Sequence, residues 1–529
     1  MALDHLALGF ATALTPEHLL ACLAGVLLGT LIGVLPGLGP VTTIALLLPF
    51  TFSLTPTGAI IMLAGIYYGA QYGGSITAVL VNLPGEASAT VTCLDGHAMA
   101  RQGRAGLALA VAAIGSFVGG TIGTLLLAAL AVPLASSAAR VEAVDYTALM
   151  ACGLVAAIVI AQGSVVKAMV MTAAGLALGI VGMDVTTGQP RFTMGIPELV
   201  DGIGFMPLAI GLFGLSEIIA TLASPGDRLV TPARLDRPWP RPGETKRAAA
   251  ATLRGTALGS ILGVLPGAGP VIASFASYAL EKKLTSGPPV LGSGAIEGVA
   301  GPESANNASA QTSFVPLLTL GLPSGPVGAL LLGALIVHGV QPGPSVIAKE
   351  PALFWGLVAS MWIGNVMLLV LNLPLVGWWA RLAQVPYRFL YPTTVALSCT
   401  GLYALNHSTF DLWLAAIFGV VGYLLRTRGF EPAPLLLGFV LSQPIRDNFN
   451  RALVFSNGDA STFVTHPLSA TLLTIAGVAL LMTALQQRGE DGCASHRRSD
   501  DTQSTAGMSA RVDRSYGARQ RSVCCRGDG

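Results

Sequence analysis

The sequence predicts an all-α polytopic membrane protein: two repeated halves, about ten to twelve transmembrane helices in all, with re-entrant or broken helices between them. Composition is the first reason. Of 529 residues 53% are hydrophobic and 11% charged, with mean hydropathy +0.68, where soluble chains carry roughly 25% charged residues. The second is a succession of apolar tracts near the ~20 residues that one span needs. The third is a stretch that occurs twice, GVLLGTLIGVLPGLGP at 25–40 and GTALGSILGVLPGAGP at 255–270, with every Gly and Pro in register. That match marks an internal duplication.

Each copy breaks at one place, Pro36-Gly37-x-Gly39-Pro40 and Pro266-Gly267-x-Gly269-Pro270. Two prolines around two glycines cannot continue a regular α-helix. In hydrocarbon, unsatisfied peptide groups cost several kcal/mol each, so such a break survives only inside protein or beside a polar cavity. Paired breaks in two halves point to a transporter's central site. Gly25, Gly29 and Gly33 read more simply as a helix-packing face.

In order along the chain, residues 1–17 contain Asp4, His5 and Glu17 but no Lys or Arg. The first apolar segment, about 18–35, lacks a basic leader and is expected to be a retained span rather than a cleaved signal. Thr42 and Thr43 follow the first corner. The tract from 58 to 86 then places Tyr67, Tyr68, Gln71, Tyr72, Ser75, Thr77 and Asn82 at membrane depth and ends in a second break, Leu83-Pro84-Gly85-Glu86. Spans are expected at about 105–133, 146–162, 166–183 and 205–222, with a polar interlude at 184–201. Residues 1–223 form the first repeat.

Residues 224–254 form a linker rich in proline (225, 232, 238, 240, 242) and basic side chains (228, 234, 237, 241, 246, 247, 254). The positive-inside bias puts it in the cytoplasm. The second repeat, 255–485, follows the same plan. Glu281-Lys282-Lys283 reads as a water-facing helix end, and the polar run at 294–326 carries Glu303, Ser304, Asn306, Asn307, Ser309, Gln311, Thr312 and Ser313 before Leu322-Pro323-Ser324-Gly325-Pro326. Further spans are expected at about 327–340, 353–377, 389–404, 409–425 and 467–485. The stretch from Gly438 faintly echoes that from Gly204. Residues 486–529, with many Arg, Ser and Asp and no apolar period, read as a disordered cytoplasmic tail. Seven cysteines have no metal-ligand spacing, and a net charge of +2 gives no ground for a nucleic-acid partner.

Six stretches together resemble one family: GVLPGLGPVTTIALLLPF (33–50), AGIYYGAQYGGSITAVLVNLPGE (64–86), TCLDGHAMARQGRAG (92–106), ASFASYALEKK (273–283), GAIEGVAGPESANNASAQTSFVPLLTLGLP (294–323) and FEPAPLLLGF (430–439). Their order is that of the large membrane subunit of the tripartite tricarboxylate transporters. The resemblance implies a multi-pass permease of the bacterial inner membrane, partnered by a periplasmic solute-binding protein and a small membrane subunit. It also implies uptake of citrate or related carboxylates, with Na⁺ as the coupling ion and no cofactor.

The residues supply a chemistry for that reading. Lys and Arg are absent from both corners and from both Leu-Pro breaks, so an anion would be attracted by broken-helix N-termini carrying about half a positive charge each. Thr42, Thr43, Ser75, Asn82, Ser304, Asn306, Asn307, Thr312 and Ser313, beside Pro84 and Gly85, would complete the shell, and such oxygens also suit Na⁺. Any single hydroxyl reads more simply as an interhelical packing bond, worth about 0.6 kcal/mol, whereas the cluster as a whole reads as a site. Glu86 and Glu303 read either as functional intramembrane carboxylates or as helix caps. Asp95, Arg101 and Arg104 read as structural loop groups, and His338 as a packing residue. A channel or scaffold without coupled transport is the alternative. An intramembrane enzyme is disfavoured, because GxSxG and HExxH motifs are absent.

Overall fold

The computed structural model describes residues 2–35, 39–138, 141–160, 164–184, 188–223, 240–265, 269–285, 289–382, 387–485 and 487. The first half contains α1 (Ala2–Ala13), α2 (Pro16–Val34), α3 (Pro40–Leu47) and α4 (Pro56–Val81). After short turns, including a π-helical turn at Cys93–His97, come α5 (Ala105–Ala138), α6 (Ala143–Ile160), α7 (Val165–Leu178) and α8 (Phe205–Ala223). The second half contains α9 (Pro242–Val264), α10 (Gly269–Leu284), α11 (Glu297–Thr312), α12 (Phe314–Leu320) and α13 (Pro326–Val337). It continues with α14 (Pro351–Leu382), α15 (Tyr387–Asn406), α16 (Thr409–Thr427), α17 (Pro432–Phe455) and α18 (Pro467–Leu485). One two-residue β-pair, Gly182–Met183 with Pro190–Arg191, lies in the polar interlude.

Proline opens many of these helices, at 16, 40, 56, 242, 326, 351 and 432. Its missing N–H is unneeded in a first turn, and its fixed φ suits that position. Among the described residues, α2, α5, α8, α14, α16 and α18 contain segments long and apolar enough to cross a membrane, and shorter apolar helices cover Pro40–Ser53, Ala143–Val159, α7 and α13. The chain is an all-α polytopic membrane protein.

The duplication is visible in three dimensions. α2 packs along α4, and α9 packs along α11. The glycine stripes do this work: a Cβ on Gly29 or Gly33 would run into the backbone of α4, and one on Gly255 or Gly259 into that of α11. α4 and α12 end alike, in left-handed caps at Asn82 (φ 58°) and Gly321 (φ 69°). In each, the next leucine N–H reaches back to the carbonyl six residues earlier, Leu83 to Thr77 and Leu322 to Pro316. Each bond spans one residue more than the six-to-one bond of a Schellman cap, and the cap N–H groups of Asn82 and Gly321 reach the same two carbonyls.

The halves are interlaced rather than side by side. α5 of the first half packs on α9 and α11 of the second, while α14 of the second packs on α2 and α4 of the first. The exchange recurs farther along, where α17 packs on α6 and α7, and α16 on α8. α4 and α11 contribute Tyr72, Ser75, Glu303 and Asn306 to the interior, and both are buried along nearly their whole length. This arrangement keeps polar groups away from lipid.

Two expectations are corrected here. Residues 242–254 of the basic linker are already helix, the first turns of α9, while 224–239 lie outside the described residues, as does the tail beyond 487. Glu281 does not face water: it is buried and paired with Arg254, and only Lys282 and Lys283 are exposed.

Candidate functional site

The site is built where the breaks of each half come back to their own helix ends. α2 stops at Val34, and α3 starts at Pro40 with Gly39 as its N-cap. Gly85 of the Leu-Pro break sits so close to this end that a Cβ would strike the Gly33 carbonyl and stand 2.6 Å from Gly74 Cα. In the second half, Ser324 Oγ lies 3.3 Å from the Gly263 carbonyl and 3.4 Å from that of Ser313. Gly269 opens α10 at φ +56°, a conformation that favours glycine. Pro36, Gly37, Pro266 and Gly267 lie outside the described residues; Gly39, Pro40, Gly269 and Pro270 lie within them.

Between the halves runs a buried polar seam centred on Glu303 of α11. Ser75 Oγ on α4 lies 2.6 Å from Glu303 Oε2, and Thr92 Oγ1 donates to Oε1 at 2.5 Å. Asn306 Nδ2 lies 3.4 Å from Oε2 and donates to Ser88 Oγ at 3.2 Å. Ser88 in turn donates to Glu86, and its carbonyl accepts from Ser274 Oγ of α10 at 2.7 Å. Asn307 Nδ2 donates to Asn306 Oδ1 at 2.7 Å and to the Glu303 carbonyl at 3.1 Å. The seam therefore ties the loop after the first Leu-Pro break to the helix after the second corner. Among the described residues no Lys, Arg or His pairs with Glu303 or Glu86.

Of the residues expected at the site, Ser75, Glu303, Asn306, Asn307 and Gly85 converge here. Others serve local bonds. Thr42 Oγ1 donates to the Phe213 carbonyl (3.1 Å) on the π-helical turn of α8, and Thr43 Oγ1 to its own helix at Gly39 (3.0 Å). Ser304 Oγ reaches the Thr252 carbonyl of α9 at 3.0 Å, a helix-packing bond. Thr312 and Ser313 donate to carbonyls of α11, Ala308 and Ala310. Asn82 is the exposed left-handed cap, and Pro84 follows it.

Thr92 and Ser88 were not singled out from the sequence, nor was Asn365, whose amide accepts from Tyr72 (2.8 Å) and donates to the Phe117 carbonyl (2.9 Å), joining α14 to α4 and α5. Thr92 was findable, because it opens the Thr-Cys-Leu-Asp stretch just beyond the break. Asn365 sits in an otherwise apolar span, where a lone amide is itself a signal. His338 bonds Thr51 Oγ1 (3.0 Å) and stacks on Phe52 at 4.7 Å, the packing role expected. Asp95 is a buried structural anchor, accepting from Tyr278 and from the N–H groups of Gly292, Gly294 and Ala295. Chemically the seam offers hydroxyl, amide and carboxylate oxygens, a set suited to a small cation or a proton.

No solved structure matches the chain. An uncharacterized 52.8 kDa protein of the TAR-I ttuC' 3' region of Agrobacterium vitis is 55% identical over 483 residues, covering 91% of this chain and 96% of that protein. An uncharacterized protein of the TAR-II ttuC' 3' region of the same organism is 55% identical over 227 residues, 43% of this chain and 94% of its own length. The model of the tripartite tricarboxylate transporter TctA family matches residues 19–437. That family comprises the large membrane subunits of transporters, not enzymes. Its model spans both corners, both Leu-Pro breaks and the Glu303 seam, and the chain belongs to this family.

Proposed function

We propose that this chain imports citrate-like carboxylates across the bacterial inner membrane, drawing on a Na⁺ gradient and on a periplasmic solute-binding protein, with a small membrane subunit as its partner in the bilayer. The observation that carries the reading is the seam at which Glu303 of one repeat meets Ser75 and Thr92 of the other, joined through Ser88 to the loop after the first Leu-Pro break and to α10 after the second corner. Two loci follow from it. The carboxylate substrate lies against the two corners, at the described starts of α3 (Gly39, Pro40) and α10 (Gly269, Pro270). There the first N–H groups of α3 and α10 supply positive potential without a stranded cation. Na⁺ lies in the oxygen-rich seam.

The test is uptake of labelled citrate and short dicarboxylates into proteoliposomes holding this chain and its small partner, with or without the binding protein, and with Na⁺ or K⁺ outside. Uptake that needs both Na⁺ and the binding protein is the expected result. Uptake indifferent to the cation removes Na⁺ coupling, and no uptake of any carboxylate by folded protein removes the substrate class.

A further inference from the structure

Ser75 has one hydroxyl hydrogen, yet its Oγ lies 3.0 Å from the Gln71 carbonyl oxygen and 2.6 Å from Glu303 Oε2. If Glu303 is ionised, both neighbours are acceptors only, and one hydrogen cannot serve both fully. A proton on Oε2 resolves the conflict. The carboxyl then donates to Ser75 Oγ, Ser75 donates to Gln71, and Thr92 still donates to Oε1.

The surroundings agree with a neutral group. Glu303 is fully buried, and an unpaired ion in such a place is costly. The titratable groups near it are Tyr72 on α4, Cys93 on the π-helical turn, and Glu86, which is reached through Ser88 and Asn306. None is a cation. On the neighbouring α9 and α10, Arg247 and Arg254 are engaged by Glu297 and Glu281. α5 carries no charged residue and contributes Ser116, which lies 3.4 Å from the Glu303 carbonyl. A second, independent observation points to a ligand. Gln71 is one turn before Ser75 on the same face of α4, fully buried, and neither side-chain amide atom has a partner among the described residues.

We propose that Glu303 is the coupling-ion site, holding a proton in this conformation and exchanging it for Na⁺, which binds among the Glu303 carboxylate, the Ser75 and Thr92 hydroxyls and the Gln71 amide oxygen. The inference rests on the Na⁺-coupled reading above. In the exchange the Glu303 O–H bond breaks, the proton leaves to water, and Na⁺ takes its place. The buried site is neutral in both states. The empty, ionised carboxylate is instead an unpaired buried charge and is the state excluded from crossing.

The experiment needs no substrate. Purified full-length chain in weakly buffered detergent solution receives NaCl or, as control, KCl, while a pH dye reports proton release and infrared difference spectra report the protonated-carboxyl C=O band. Na⁺ should release up to about one proton per chain, as expected when a cation displaces a proton from its ligand, and bleach that band; K⁺ should do neither. Glu303→Gln, which keeps the shape and the donor to Ser75, should abolish both signals, whereas Glu86→Gln should keep them. Should Glu303→Gln fail to fold, Glu303→Asp retains a carboxyl and should shift the band. No Na⁺-dependent proton release from mildly acid to mildly alkaline pH, survival of the signals in Glu303→Gln, or an unmoved band in Glu303→Asp overturns the assignment. Failed carboxylate uptake with intact proton release would count against the substrate class alone.

Discussion

Asp95 accepts the Tyr278 hydroxyl at 2.9 Å and the N–H groups of Gly292, Gly294 and Ala295 at 2.8 Å each. One carboxylate thus fastens a turn of the first half to the loop that feeds α11. Hydrogen bonds to a charged group contribute about 1.5–3 kcal/mol, so Asp95→Asn, which turns an NH₂ toward those donors, should destabilise the fold by roughly 2 kcal/mol or more. A lowered thermal midpoint in detergent would register it; an unchanged one would show that the loop holds itself. Two glycines separate by the same kind of argument. Gly85→Ala drives a methyl into the Gly33 carbonyl and should cost about 1–3 kcal/mol, whereas Gly39 has open space around it and Gly39→Ala should leave the midpoint unchanged. A sequence shows both glycines as equal members of Pro/Gly breaks. Which one touches a neighbour depends on backbone that is distant along the chain.

Helices were the most legible level. Span positions at 105–133, 353–377 and 409–425 correspond to α5, α14 and α16, because apolar length is a local property of the sequence. α1 escaped, being short and without a break signal, and packs its Gly9 against the Trp355 carbonyl of α14. The start of α9 escaped too, since basic residues at 241–254 looked like linker. In the structure Arg247 pairs with Glu297 and Arg254 with Glu281, and Glu244 of the same turns takes Arg104. Glu281 is fully buried and Arg254 partly exposed, so Arg254→Ala should cost about 1–3 kcal/mol by stranding the carboxylate. Adding Glu281→Gln to that variant should recover part of the loss. Thermal melts of the single and double variants measure it, and a double variant no better than the single would mean that Arg254 acts through packing.

The duplication announced two similar halves but not their interlacing. Side-by-side and exchanged repeats have the same periodicity, and only packing distinguishes them. With α5 lodged against α9 and α11, and α14 against α2 and α4, neither half has a complete core of its own. Expressed alone, residues 1–223 or 240–529 should be protease-sensitive, and expressed together they should co-purify as a resistant complex. A resistant single half would contradict the exchange. The same geometry bears on how the protein is made. Ser75 and Glu303 are separated by 228 residues, so at about 5–20 residues per second the ribosome takes roughly 11–46 s to supply the serine's carboxyl partner. Through that interval the Gln71 carbonyl, one turn back on its own helix, is the acceptor within the serine's reach. The bond that Ser75 keeps to Gln71 beside Glu303 in the finished molecule is thus the one that lets its helix wait in the membrane for the other half to be translated.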